Sequence, residues 1–138
     1  MRSLSGPRLA MVSLASIGIA DSVYLTADSF AKVAPYCPTY KILDCGKVTL
    51  SPYSHPFGIP VALLGLLWFV AMFVMGILRP SFAPFLMLPL WIAGAVMVLY
   101  LVYIELGVLG AICVYCTLAH VCTALMLFPV VRMTFAEE

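Results

Sequence analysis

Long apolar runs divide the chain into four segments, each close to the roughly 20 residues that a helix needs to cross a bilayer. They cover about residues 9–28, 57–78, 82–105 and 113–132. Short connections at about 79–81 and 105–111 separate the last three runs. Because unpaired backbone groups are costly in lipid, each run is predicted to be a helix. The pattern predicts an all-α integral membrane protein, a four-transmembrane-helix bundle formed by one domain over residues 1–138.

A longer polar stretch, residues 29–56, separates the first two runs and carries Cys37 and Cys45. Pro38 suits the first turn of a helix and Gly46 suits its end, so a short helix is predicted between the two cysteines. A disulfide that closes this pair would bend or unwind the helix and would therefore exchange readily. A structural disulfide that staples an external loop explains the same spacing.

Composition also indicates an integral membrane protein. Of the 138 residues, 64% are hydrophobic and 9% are charged, whereas a soluble domain has roughly 25% charged residues. The net charge is +1 and there is no basic run, so no nucleic-acid partner is expected. Asp21 is a carboxyl inside the first run and is predicted to face the bundle in a structural role.

Cys113 and Cys116 stand one helical turn apart where the fourth run begins. The positive end of the helix macrodipole favours a thiolate there. The spacing alone is equally consistent with two buried thiols that act as small apolar side chains. His120 shares their helix face, whereas Cys122 lies about 240° around the helix from Cys116. Cys122 is therefore predicted to be an inert buried thiol.

Both cysteine pairs fall on the same side of the four predicted spans, opposite the termini. Lysine and arginine divide too evenly between the two sides to fix the orientation. Disulfide chemistry belongs on the oxidising face, so the termini are predicted to be cytoplasmic and the cysteines extracytoplasmic in a multi-pass cell-membrane protein. A pair at the membrane rim can meet a lipid-soluble electron acceptor, and the loop pair could pass electrons to it by thiol exchange.

Sequence landmarks lie along nearly the whole chain. They are Asp21-Ser22-Val23-Tyr24-Leu25, Cys37 with Cys45 eight residues on, Ser51-Pro52-Tyr53, the segment from Phe57 to Gly65, and Cys113-Val114-Tyr115-Cys116. Together they resemble the vitamin K epoxide reductase (VKOR) family in its short prokaryotic form. The order of a wide loop pair followed by C-x-x-C is specific, since DsbB-type quinone oxidoreductases have the C-x-x-C first.

The resemblance implies a bundle around a quinone such as menaquinone or ubiquinone. It implies that Cys116 lies at the quinone and that Cys113 is its exchange partner. It further implies that Cys45 attacks Cys113 and that Cys37 takes electrons from a partner thiol. Some members carry a fused thioredoxin-like domain that this chain lacks, so a separate thioredoxin-fold (DsbA/PDI-like) partner is expected.

Other residues are expected around the quinone. Ser51 matches a family serine near the active site, as a hydrogen-bonding group. His120 stands where vertebrate members have a tyrosine that reaches a quinone carbonyl, and a histidine would suit proton delivery. A satisfied interior histidine is the alternative. Phe57, Leu63 and Leu118 are expected to bind the ring by apolar area.

These features predict a membrane thiol:quinone oxidoreductase that drives disulfide formation in exported proteins. Two alternatives stay open. Cys113, Cys116 and His120, with or without a loop cysteine, could bind zinc or copper in a small carrier or sensor. The chain could also be a non-catalytic packing subunit with one loop disulfide.

Overall fold

A computed structural model describes residues 6–31, 52, 58–78 and 81–135. Within these ranges, four helical segments are long and apolar enough to cross a membrane. Helix α1 is Gly6–Ala31, α2 is Val61–Leu78 and α3 is Ala83–Tyr103, and the last segment consists of α4 at Val114–Leu125 and α5 at Leu127–Phe135. The predicted four-helix, all-α membrane fold is confirmed. The predicted loop helix, with Cys37 and Cys45, lies outside the described residues, as do Ser51 and Phe57.

The third span is longer than the pattern suggested. Residues 105–111 were expected to form a connection, but a π-helical turn at Ile104–Leu109 continues α3 without interruption. The apolar sequence of this turn contains no proline, so nothing in it forces the helix to stop. The helical segment ends only at Gly110, which leaves residues 110–113 as the link to α4.

Helix α1 runs antiparallel to α2 and is tied to it at one end. Arg8 donates from Nε to the carbonyl oxygen of Gly76 at 3.1 Å and from a terminal nitrogen to that of Ile77 at 2.7 Å. The last carbonyl groups of a helix have no partner within the helix itself. The buried guanidinium of Arg8 therefore caps the end of α2.

Two tryptophans form hydrogen bonds that connect α3 to the neighbouring helices α2 and α4. The indole N–H of Trp68 in α2 donates to the Leu90 carbonyl at 2.9 Å, and that of Trp91 donates to the Thr123 carbonyl at 2.8 Å. Much of α3 faces outward, with Phe85 at 81% and Leu99 at 71% exposure. Such large apolar side chains are suited to contact with lipid.

The apolar core of the bundle is rich in methionine. Its buried methionines come from α1, α2, α3 and the last helical segment: Met11, Met72, Met75, Met87, Met126 and Met133. Unbranched, flexible methionine side chains fill the irregular gaps between crossing helices. The core adjoins a cavity in the bundle, and Phe69 belongs to the core and also lines the cavity.

Candidate functional site

The C-x-x-C pair lies where α4 begins. Cys113 has an extended backbone, with φ −96° and ψ 125°, and its sulfur accepts the N–H of Cys116 at 3.4 Å. Its carbonyl oxygen accepts the N–H of Thr117 at 2.9 Å, the first bond of the helix. Cysteine thus takes the capping position that serine or aspartate usually fills. Both cysteines carry free thiols, which is the reduced dithiol form of the pair.

The pKa of the Cys113 thiol lies below its ordinary value. The largest cause is a hydrogen bond from the side chain of Cys116, and the N–H groups of Cys116 and Tyr115 add to it. Burial of Cys113 and the nearby charge of Glu105 act in the opposite direction. Since the thiolate is the reactive form in thiol exchange, Cys113 is electrostatically prepared for it.

A cavity of about 300 Å³ lies among the four helical segments. Most of its lining is apolar, from Val61, Leu64 and Trp68 of α2 and Met97, Val98 and Leu101 of α3, among others. Its polar lining residues are Ser22, Ser29, Glu105, Cys116, His120 and Thr123. Apolar walls with a few polar groups are typical of small-molecule sites, and this volume lies at the lower end of their range.

The structure brings some of the expected site residues together and separates others. Cys116 and His120, four residues apart on α4, both line the cavity. Leu63 and Leu118, which were expected around the ring, are not among the residues that line this cavity, and their contact with a quinone stays a prediction. Leu118 is two residues from Cys116, so the helix turns its side chain about 200° away, while Ala62 and Leu64 take the place of Leu63.

The third cysteine of the described residues, Cys122, lies away from the cavity. Cys122 is 3% exposed and packs in the methionine-rich core. Its position agrees with the helical phase, which turns it away from the face that carries Cys116.

Glu105 is a site residue that the sequence reasoning treated only as the end of the third span. Its side chain is buried, with 5% exposure of the residue, and lines the cavity. Oε2 accepts the N–H of Cys113 at 3.2 Å, and Oε1 lies 3.9 Å from Nδ1 of His120. A lone carboxyl in an apolar run is itself a signal of function, and it could have drawn attention to this residue.

Gly110 makes the turn that brings Cys113 back to Glu105. Its φ of 64° and ψ of 29° lie in the left-handed region, which glycine adopts without steric cost. The N–H groups of Gly110 and Ala111 both donate to the Glu105 carbonyl oxygen, the latter at 3.0 Å. The whole link between α3 and α4 is therefore folded around Glu105.

Helix α1 closes the site from the other side. The rings of Tyr24 and Tyr115 lie with their centroids 5.1 Å apart. Asp21 is 7% exposed and thus faces the bundle interior. Within the described part of the chain, neither of its carboxyl oxygens has a hydrogen-bond partner.

A metal centre is not formed by the described side chains. No group of three or more histidine, cysteine, aspartate or glutamate residues in 6–31, 58–78 and 81–135 is arranged to hold a metal ion. The zinc or copper hypothesis gains no support from this part of the protein, and Cys37 and Cys45 fall outside it.

A dithiol at the start of a membrane-spanning helix, beside an apolar cavity, is the arrangement that a membrane-bound thiol oxidoreductase requires. The family model of the vitamin K epoxide reductase family matches residues 9–131, which is nearly the whole chain. The chain belongs to the vitamin K epoxide reductase family, and the resemblance seen in the sequence is confirmed. A comparison with curated proteins gives no match. Family membership makes the protein a thiol-dependent quinone oxidoreductase of the membrane.

Proposed function

We propose that this protein drives disulfide formation in exported proteins by reducing a membrane quinone. A reduced thioredoxin-fold partner transfers two electrons to a Cys37/Cys45 disulfide, Cys45 passes them to the Cys113/Cys116 pair, and Cys116 faces the acceptor. The observation that carries the last step is the position of Cys116 in the wall of the cavity. Cys37 and Cys45 enter the scheme through the family resemblance.

The cavity fits a quinone head group by its chemistry. Its largely apolar lining would bind a flat apolar ring by burying area, and His120 and Glu105 supply polar groups near Cys116. A bound quinone accepts two electrons and two protons. When Cys113 and Cys116 form an S–S bond, their thiols lose the same two electrons and two protons, so the transfer balances.

The two thiols of the pair have different surroundings, which supports different roles. Cys113 caps α4 and its thiol has a lowered pKa. It is not one of the described residues that line the cavity, so it suits exchange with an incoming cysteine. Cys116 lies one turn further on and does line the cavity. Exchange and quinone reduction thus take place on opposite sides of one disulfide.

The proposed orientation of the protein in the membrane rests on the end of the bundle where α4 begins. The contact between Tyr24 and Tyr115 places the start of α4 beside the second half of α1, which is where the chain leaves for the cysteine loop. We place this end on the extracytoplasmic face and both termini in the cytoplasm, since disulfide exchange needs an oxidising compartment.

Quinone reduction by the purified protein in detergent tests the proposal, with DTT or a reduced thioredoxin-fold protein as the donor. We expect activity with both donors. Cys37→Ser should lose activity with the protein donor far more than with DTT, because the small dithiol can reach the inner pair directly. Full quinone turnover by Cys116→Ser would refute the scheme.

A further inference from the structure

Glu105 joins two parts of the redox site that are distant in sequence. One carboxylate oxygen accepts the N–H of Cys113, and the other lies 3.9 Å from Nδ1 of His120. Cys113 is the thiol placed for exchange, and His120 lines the cavity together with Cys116. A single buried carboxyl therefore contacts both the exchange side and the cavity side of the centre.

The local backbone is shaped to place this carboxyl. In a regular α-helix the Glu105 carbonyl would accept the N–H of residue 109. Here it accepts the N–H groups of Gly110 and Ala111 instead, because the turn is π-helical and Gly110 is left-handed. The Glu105 side chain then satisfies the N–H of Cys113, which has no partner within α4. Single π-helical turns of this kind often mark functional sites.

The charge of Glu105 requires a partner. A carboxylate inside a membrane-spanning bundle is costly unless a hydrogen-bond donor or a positive charge compensates it. The imidazole of His120 neutralises the charge of a carboxylate only when both of its nitrogens carry a proton, whereas a neutral ring with its proton on Nδ1 supplies a donor without the charge. The pair is therefore least costly when it holds one proton between its two members. Since Nδ1 faces Glu105, the other ring nitrogen is the one left for the cavity.

We propose that Glu105 is a positioning residue of the redox centre, which fixes the start of the C-x-x-C helix through the Cys113 N–H and orients a proton-bearing His120 at the cavity wall. The part that concerns the quinone rests on the proposed function. The part that concerns Cys113 does not.

Among the described residues, the other titratable groups at this end of the bundle are few. Helix α1 contributes Asp21, Tyr24 and Asp28, α3 contributes the exposed Tyr103, and α4 contributes Tyr115 and Cys116. The described residues of α2 that line the cavity include no titratable group. Asp21 is thus the natural comparison for Glu105, because it is a second buried carboxyl near the same thiols that does not line the cavity.

Four variants of the full chain separate the roles of Glu105. Glu105→Gln keeps an oxygen that can accept the Cys113 N–H but removes the charge, and Glu105→Leu removes both. Leu106→Ala, in the same turn and 56% exposed, controls for disturbance of the backbone. Asp21→Asn controls for the loss of any buried carboxyl. Folding of each variant is checked by thermal unfolding in detergent.

With DTT as the donor, we expect Glu105→Gln to lower kcat about tenfold. Glu105→Leu should lower kcat about a hundredfold, which is the loss expected when a reacting group is misplaced by about 1 Å. KM for the quinone should stay within twofold in both, and the pH profile of kcat should move in Glu105→Gln. Leu106→Ala should match the wild type. Equal kcat in all variants, or the same loss and the same pH shift in Asp21→Asn, would overturn the inference.

A second measurement needs no quinone. Because the charge of Glu105 opposes ionisation of Cys113, its removal should lower the pKa of that thiol further. The reduced Glu105→Gln protein should therefore label at Cys113 several-fold faster with a small alkylating reagent at neutral pH. An unchanged rate would show that the charge of Glu105 does not act on the Cys113 thiol, while the comparison with Glu105→Leu tests the hydrogen bond to the Cys113 N–H. If wild-type protein failed to reduce quinone, the proposed function would fall, while the labelling rates of Glu105→Gln and Glu105→Leu would still decide the role of Glu105 at Cys113.

Discussion

The two ends of the bundle bury very different side chains. Where α1 begins and α2 finishes, the buried side chains include methionines of the apolar core and Arg8, whose guanidinium donates to two backbone carbonyl groups. Where α4 begins, the buried groups are thiols, carboxyls and an imidazole around a cavity. In the first region the charged side chain of Arg8 caps the end of α2 and has its hydrogen-bond acceptors. In the second, reactive groups are kept together and only partly satisfied, which costs stability and is typical of functional sites.

This contrast leads to a general expectation. Substitutions in the methionine-rich region should change the stability of the fold and leave the chemistry intact, whereas substitutions around the cavity should do the reverse. Matched pairs of variants, one from each region, test the contrast directly.

The largest difference in quinone turnover is expected between variants of Cys116 and Cys122, which both belong to α4 but lie in different regions. Cys116→Ala removes the thiol at the cavity wall and should reduce quinone turnover to the uncatalysed background. Cys122→Ala trims a core thiol and should keep near-wild-type turnover while costing about 1 kcal/mol of stability. Quinone reduction with DTT and thermal unfolding in detergent measure the two quantities. A turnover loss in Cys122→Ala as large as in Cys116→Ala would remove the distinction between the two regions.

The second effect concerns the Arg8 cap. Arg8→Ala leaves the carbonyl oxygens of Gly76 and Ile77 without this donor. Two hydrogen bonds from a charged group are worth about 3 kcal/mol together, so the midpoint of thermal unfolding should fall clearly. The kcat measured at low temperature, where the variant stays folded, should remain that of the wild type. Arg8→Lys, which keeps the charge but not both bonds, should fall between the two.

The sequence predicted the fold well because lipid allows few solutions. A helix satisfies its backbone groups within one segment of the chain, so four continuous apolar runs of about 20 residues predict four spanning helices. The sequence also predicted that Cys116 and His120 share one face, because residues four apart are neighbours on the surface of a helix. Both residues line the cavity.

The rest of the site depends on irregular backbone or on packing. Glu105 reaches Cys113 through a π-helical turn and a left-handed glycine, and no periodic pattern signals that combination. Leu63 and Leu118 were expected at the ring for their apolar character, but nearly every residue of these helices is apolar. Only the rotation of each helix against its neighbours decides which of them face the cavity.

The third prediction concerns the pH at which Cys113 reacts. Its pKa is lowered chiefly by the hydrogen bond from the Cys116 side chain. A lowered thiol pKa means that the thiolate is present at lower pH, so removal of the donor should raise the midpoint. In the Cys122→Ala background, the ultraviolet absorbance of the thiolate or the rate of alkylation of Cys113 should titrate at higher pH in Cys116→Ala. Cys116→Ser, whose hydroxyl can still donate, should shift less, and identical midpoints would argue against this hydrogen bond.

The smallest effects are expected from one substitution made at two glycines. A Cβ at Gly94 would lie 2.6 Å from Cζ2 of Trp68, a cavity residue that is held by its bond to the Leu90 carbonyl. The rigid indole can yield only by breaking that bond or moving into the cavity, so Gly94→Ala should raise KM for the quinone about fivefold, equivalent to roughly 1 kcal/mol of binding.

A Cβ at Gly76 would be almost as crowded, at 2.9 Å from Cγ of Met11, but that neighbour is flexible and lies in the methionine-rich core. The strain of about 1 kcal/mol is offset by a similar gain from replacing glycine within a helix. Gly76→Ala should therefore leave both the unfolding midpoint and KM close to those of the wild type. If instead Gly76→Ala raised KM and Gly94→Ala did not, the cavity beside Trp68 would not be where the quinone binds.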